Sequence, residues 1–153
     1  MNRATLIVRC SRIEKGRYAY AATILYGCAT LTAIESVIDA ANMVEANIIG
    51  MRDAIQEAVE SSALENVDKL VISHTSADVI LALNGVFYKG EYSPSTDTVL
   101  DQVYDLLDEA HVEIDFSIAR NNGRNGAVAL VKSRKLSEKS KNITNDYEVN
   151  GDE

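Results

Sequence analysis

The 153-residue sequence predicts an α/β fold: a mixed five-stranded sheet, three antiparallel strands then two more, with helices packed on it. Three observations carry the prediction. β-rich sequence punctuated by turn signals fills the first part of the chain. An apolar-striped helix follows it. Beyond that helix, compact apolar runs of strand length alternate with helical patterns.

Ala4 to Cys10 is a short apolar run, Arg17 to Tyr26 is rich in Tyr, Ile and Thr, and the chain from Cys28 continues as Ala-Thr-Leu-Thr-Ala-Ile. Lys15-Gly16 and Gly27 mark turns between them, so these segments read as three antiparallel strands. Val44, Ile48, Met51, Ile55 and Val59 then recur at helical spacing, while Arg52, Asp53, Gln56 and Glu57 stay off that stripe. A core-facing helix from Asn42 to Ser61 follows. Asn42 is its N-cap, and Glu45, three residues on, can complete a capping box.

Lys69 to Ser73 is a compact strand expected to be buried on both faces, and Ser76 to Leu83 a short helix ended by Asn84-Gly85. Ser95 is placed to cap a helix whose Val99, Val103, Leu106 and Leu107 form one stripe. Val112, Ile114, Phe116 and Ile118 alternate with Glu113, Asp115 and Ser117, which predicts a strand with one wet face. Arg120 to Arg124 is a Gly/Asn-rich loop and Ala127 to Lys135 a last short helix. From Ser137 the composition turns polar, so the reading is one domain over 1–136 and a disordered tail over 137–153.

A chain of this length with 46% apolar residues can bury a core without disulfides or metals. Its formal charge of −8 opposes nonspecific binding to a polyanion or an anionic membrane. The charge is segregated, however. Through residue 36 five Lys/Arg face two Asp/Glu, and 37–116 hold three against sixteen; 117–136 carry five basic residues and no acid, and the remainder two against five. Cys10 and Cys28 belong to no CxxC or Cys/His cluster and read as reduced, buried thiols. Arg9, Arg12, Lys15 and Arg17 interrupt any apolar leader, and no run approaches a membrane span, so a soluble intracellular protein without membrane partners is expected.

Three antiparallel strands, helix, strand, two helices, strand and helix is an order that resembles the ribonuclease H fold, over about residues 4 to 132. Asn42-Met43-Val44-Glu45-Ala46 is similar to that family's stretch around its helix-borne catalytic Glu. Val71-Ile72-Ser73-His74-Thr75-Ser76-Ala77-Asp78-Val79-Ile80 is similar to its strand-to-helix segment, which normally contains Asp-Ser. Arg120 to Val131, with Asn122 and Asn125, resembles its C-terminal Asn-rich loop and helix, which normally carries one more Asp.

The resemblance implies four carboxylates holding two Mg²⁺ ions, one to generate hydroxide and one to stabilise the leaving oxygen in phosphodiester hydrolysis. Carried over by position, the first-strand Asp falls on Cys10, the helix Glu on Glu45, the fourth-strand Asp on Thr75 and the last Asp on Ala129 or Gly126. Glu45 alone keeps its carboxylate. No Asp or Glu occurs between Asp115 and Glu138, so no shift of register restores the last one. No metal and no cofactor are therefore expected, Mg²⁺ returning only if substitute acids such as Asp78 or Glu14 rebuild the site. His74 beside a strand end reads as a hydrogen-bonded structural residue, and Glu45 as a cap.

In such an arrangement two basic segments converge on the face the acids have left: Arg9 and Arg12 from the first strand, and Arg120, Arg124 and Lys132, with Arg134 and Lys135, from the last loop and helix. The expected function is a catalytically inactive ribonuclease H-like domain that binds nucleic acid or protein. Its partner would be RNA, DNA or an RNA–DNA hybrid, held weakly, or a protein. Two alternatives stand beside it: a metal-dependent hybrid ribonuclease with a rebuilt carboxylate site, and an adaptor or homo-oligomer subunit that meets its partner through Tyr18, Tyr20 and Tyr26 or the polar tail.

Overall fold

The computed structural model describes residues 2–85, 94–118 and 123–151; within the last stretch, side chains are described for 126 and 128–141. Among the described residues five strands form one sheet. They are β1 (Arg3–Glu14), β2 (Arg17–Tyr26), β3 (Ala29–Asp39), β4 (Lys69–His74) and β5 (Glu113–Ile118), in the spatial order β3-β2-β1-β4-β5. β1, β2 and β3 pair antiparallel, and β4 joins β1 in parallel with β5 beyond it, also parallel. Gly16 and Gly27 turn the two hairpins at φ of 81° and 59°, conformations that cost a glycine little. The expected five-stranded mixed sheet is present.

Among the described residues four helices complete the fold: α1 (Met43–Glu60), α2 (Ala77–Leu83), α3 (Pro94–Ala110) and α4 (Gly123–Gly151). Helix α1 lies on one face of the sheet because its stripe meets the matching stripe of the strands. Ile48, Met51 and Ile55 are fully buried with Leu6, Ile24, Leu70 and Ile72. The approach is close enough that a Cβ built on Gly50 would stand 2.9 Å from Val8 Cγ1 and 3.2 Å from the Tyr20 ring. Val79, Leu83, Val99, Val103 and Leu107 bring α2 and α3 into the same core. Tyr20 adds a polar tie, its hydroxyl donating to Asp53 Oδ2 at 2.7 Å while Arg52 holds the other carboxylate oxygen at 3.0 Å. Burial, reinforced by this bond, raises the pKa of the phenol.

Several expectations are corrected. The last helix does not stop near Lys135; it runs to Gly151, so the polar sequence after 136 begins as helix rather than as a disordered tail. Ser133 and Ser137, four residues apart, are buried against β1, so the polar sequence that follows Lys135 continues a packed helical face. Helix α3 starts at Pro94, with its first turn taking in Ser95 rather than being capped by it. Cys28 sits exposed in the β2–β3 turn and Cys10 is half-buried, both unpaired. β4 buries Leu70, Ile72 and His74, whereas Lys69, Val71 and Ser73 on its other face remain half-buried. Tyr18 and Tyr20 are buried, which leaves Tyr26, 43% exposed, from the proposed tyrosine surface. Among the described residues no helix is long and apolar enough to cross a membrane.

Candidate nucleic-acid interface

The parallel pairing of β1 with β4 and the position of α1 bring the carried-over residues to one end of the sheet. The last paired rung is Ile7 with Ser73, so Cys10 lies beyond it on β1 and Thr75 just past the end of β4. Glu45 enters from the first turn of α1. Its backbone N–H donates to Asn42 Oδ1 at 2.9 Å, and its own Oε2 accepts the Ala41 N–H at 2.6 Å. The carboxylate closes the helix start, reaching one residue further back than a standard capping box. Glu45 is 3% exposed.

His74 follows the same logic. Its Nδ1 accepts the Ser76 N–H at 2.9 Å, which places the ring proton on Nε2, 2.8 Å from Asn47 Oδ1. The Asn47 amide in turn donates to Met43 O at 2.9 Å. Burial, and then the nearby positive charge of Arg9, hold the His74 pKa down at about 4, so the imidazole is neutral at physiological pH. The ring ties β4 to α1.

The remaining positions are no better suited to a hard cation. Burial pushes the Cys10 thiol up to about 12, against a weaker opposing pull from Arg9, so it stays protonated and is a poor nucleophile. Ala129 is 2% exposed and packs on Ile7 and Ala21. Thr75 is exposed and carries a hydroxyl where a carboxylate is needed. Of the substitute acids, Asp78 is exposed in the first turn of α2, and Glu14 stands 4.0 Å from Arg17 beyond the irregularity at Arg12. Mg²⁺ requires several oxygen ligands at short range. This donor set does not fit a pair of Mg²⁺ ions.

The basic residues are arranged differently from the expectation. Arg9 is not at the open surface: it is 9% exposed, its Nη1 donates to Val8 O at 2.8 Å, and burial lowers its pKa. Arg12 is exposed at the far part of β1 and Lys132 is exposed on α4. Arg120 lies outside the described residues, as does the side chain of Arg124. The structure places Arg12 beside two other cations, Arg134 and Lys141, on a groove of about 340 Å³ between β1 and α4. Serines make its floor. Ser133 Oγ donates to Leu130 O at 2.8 Å, which leaves Ser11 Oγ to donate to Ser133 Oγ at 2.8 Å, and Ser137 Oγ donates to Arg12 O at 3.1 Å. Lys141 and Ser137 were missed because the polar tail concealed a helix; the available signal was the spacing Leu130, Arg134, Ser137, Lys141, which keeps to one helical face.

No protein-family model and no curated protein sequence matches the chain. Solved structures do. The N-terminal RNase H domain from Mycobacterium tuberculosis, solved as a fusion with maltose-binding protein, superposes with a TM-score of 0.70 at 15% identity, over 92% of this chain and 99% of that one. LC11-RNase H1, isolated from compost by a metagenomic approach, gives 0.71 at 14% identity over 92% and 99%. RNase H1 from the archaeon Halobacterium salinarum gives 0.63 at 17% identity over 84% and 92%. At these identities the likeness defines the architecture: the chain has the ribonuclease H fold.

Proposed function

We propose that this domain binds nucleic acid without cutting it. One observation carries the reading: the sheet end on which a ribonuclease H active site is expected holds a protonated thiol, a threonine and a buried alanine, and its one carried-over carboxylate, Glu45, is hydrogen-bonded into the start of α1. With three acids gone, that end loses the repulsion toward phosphate that Mg²⁺ would otherwise cancel. LC11-RNase H1 has been seen bound to an RNA/DNA hybrid, which supports a polynucleotide as the ligand class for the shared fold. The acidic balance of the chain limits the affinity, expected to be on the order of micromolar at low salt and lost near physiological ionic strength.

The reading is tested by incubating the purified protein with an end-labelled RNA–DNA hybrid in Mg²⁺ or Mn²⁺ while following both chain length and retention at low salt. The hybrid should be retained and remain intact. Cleavage that disappears in Glu45→Gln would establish the ribonuclease alternative instead, and failure to retain any nucleic acid at low salt would favour a protein partner.

A further inference from the structure

The nucleic-acid strand, we infer, is held in the groove between β1 and the second half of α4 by Arg12, Arg134 and Lys141, to one side of the sheet end where a ribonuclease H active site would lie. This rests on the nucleic-acid reading and adds where and how the strand is gripped.

Three features of the groove favour it. First, its charge is available. Arg12, Arg134 and Lys141 are exposed, and among the described residues none of them lies within ion-pair distance of a carboxylate. Among the described residues Glu138 is the one acid lining the groove, against three cations, on a chain whose total is −8. Second, the floor is fixed before anything binds. The Ser11–Ser133 and Ser137–Arg12 hydrogen bonds join α4 to β1 on both sides of Arg134, so the cations project from a rigid seam and less ordering is left to occur on binding.

Third, the spacing suits a strand. Arg134 and Lys141 are two helical turns apart on the same face, about 10.5 Å along the axis at 1.5 Å per residue. A separation of that size lets the two cations meet different phosphates of one strand rather than compete for the same one. Arg12 borders the same groove from β1, where its main-chain oxygen accepts from Ser137 Oγ. Lys132 and Lys139 lie near the opposite side of α4, by the 100° rotation each residue makes, and do not share this face. Interactions of this kind read backbone charge and not bases, so the binding is sequence-independent.

The experiment uses the full chain and a fluorescein-labelled oligo(dT) of about 12 nucleotides, followed by fluorescence anisotropy across a salt series. The double variant Arg134→Glu/Lys141→Glu should weaken binding at least tenfold and reduce the magnitude of the salt slope by about 1.4, roughly 0.7 for each single-strand phosphate that is no longer neutralised. Lys132→Glu/Lys139→Glu changes the net charge equally and should weaken binding less than threefold. Glu138→Gln, which removes the opposing charge, should tighten it two- to fivefold. Thermal unfolding of each variant separates loss of binding from loss of fold, and Glu138→Gln tests the groove through a gain. Equal losses in the two double variants, or a larger loss in Lys132→Glu/Lys139→Glu, would overturn the groove while leaving nucleic-acid binding in place. Absence of any binding by the wild-type chain at low salt would overturn both.

Discussion

The face of the sheet under α1 is closed by branched aliphatic side chains, whereas the face under α4 is closed by alanines and serines. On the α1 side Leu6, Ile24, Ile48, Met51, Ile55, Leu70 and Ile72 are all fully buried. On the α4 side the apolar cluster is Ile7, Ala21 and Ala129 with half-buried Leu25, continued by the Ser11–Ser133 and Ser137–Arg12 bonds. The first face holds the fold by removing large apolar surfaces from water. The second is fastened by small side chains, with Arg12, Arg134 and Lys141 exposed along the groove. The groove lies on that second side.

The contrast between the faces is challenged most strongly at Ile55. Ile55→Ala should cost about 3–4 kcal/mol in denaturant unfolding, the range for a fully buried aliphatic residue, whereas Leu130→Ala, half-buried beside the groove, should cost less than about 1.5 kcal/mol. Similar losses would show that α4 carries as much of the core as α1.

Acid tests the α1 side in another way. The His74 pKa is about 4 in the folded chain against an ordinary 6.5, so the unfolded chain binds an extra proton between those values. The stabilising contribution of the neutral ring is full above pH 6.5 and is lost as pH falls toward 4, a change of order 3 kcal/mol at 1.36 kcal/mol per pKa unit. Unfolding free energies measured from pH 7 to 4 should show this decline, and His74→Gln should flatten it. A decline that survives the substitution would place its origin elsewhere.

Gly50→Ala should destabilise by about 1–2 kcal/mol: crowding against Val8 and the Tyr20 ring, which Asp53 holds in place, outweighs the roughly 1 kcal/mol gained in helix propensity. A stabilised variant would mean that α1 can lift off the sheet. The smallest effect is expected across the seam, where Ser137→Ala removes one bond to Arg12 O and should cost about 1 kcal/mol or less by thermal unfolding.

The same contrast explains what the sequence disclosed. Helix α1 was legible because its stripe of Val44, Ile48, Met51, Ile55 and Val59 and its Asn42–Glu45 start are local signals, read without knowing what they pack against. The alternation of Ile114 and Phe116 with Glu113 and Asp115 was legible for the same reason. The α4 side was not, since the meaning of Ser133 and Ser137 depends on partners 122 and 125 residues away. Arg9 is a related case: sequence gives its charge, but only the tertiary packing reveals that its guanidinium turns inward to Val8 O. Element order was legible from such local signals; the burial of Arg9 was not.

The most direct test of the division between the two faces is a hydrogen-exchange footprint of the full chain with and without saturating oligo(dT) at low salt. Binding in the groove predicts added protection in the segments around Ser11 to Ile13 and Leu130 to Lys141, with exchange in α3 and in the first turn of α1 unchanged. Protection centred on Asn42 to Asn47 and Thr75, or on α3, would contradict it.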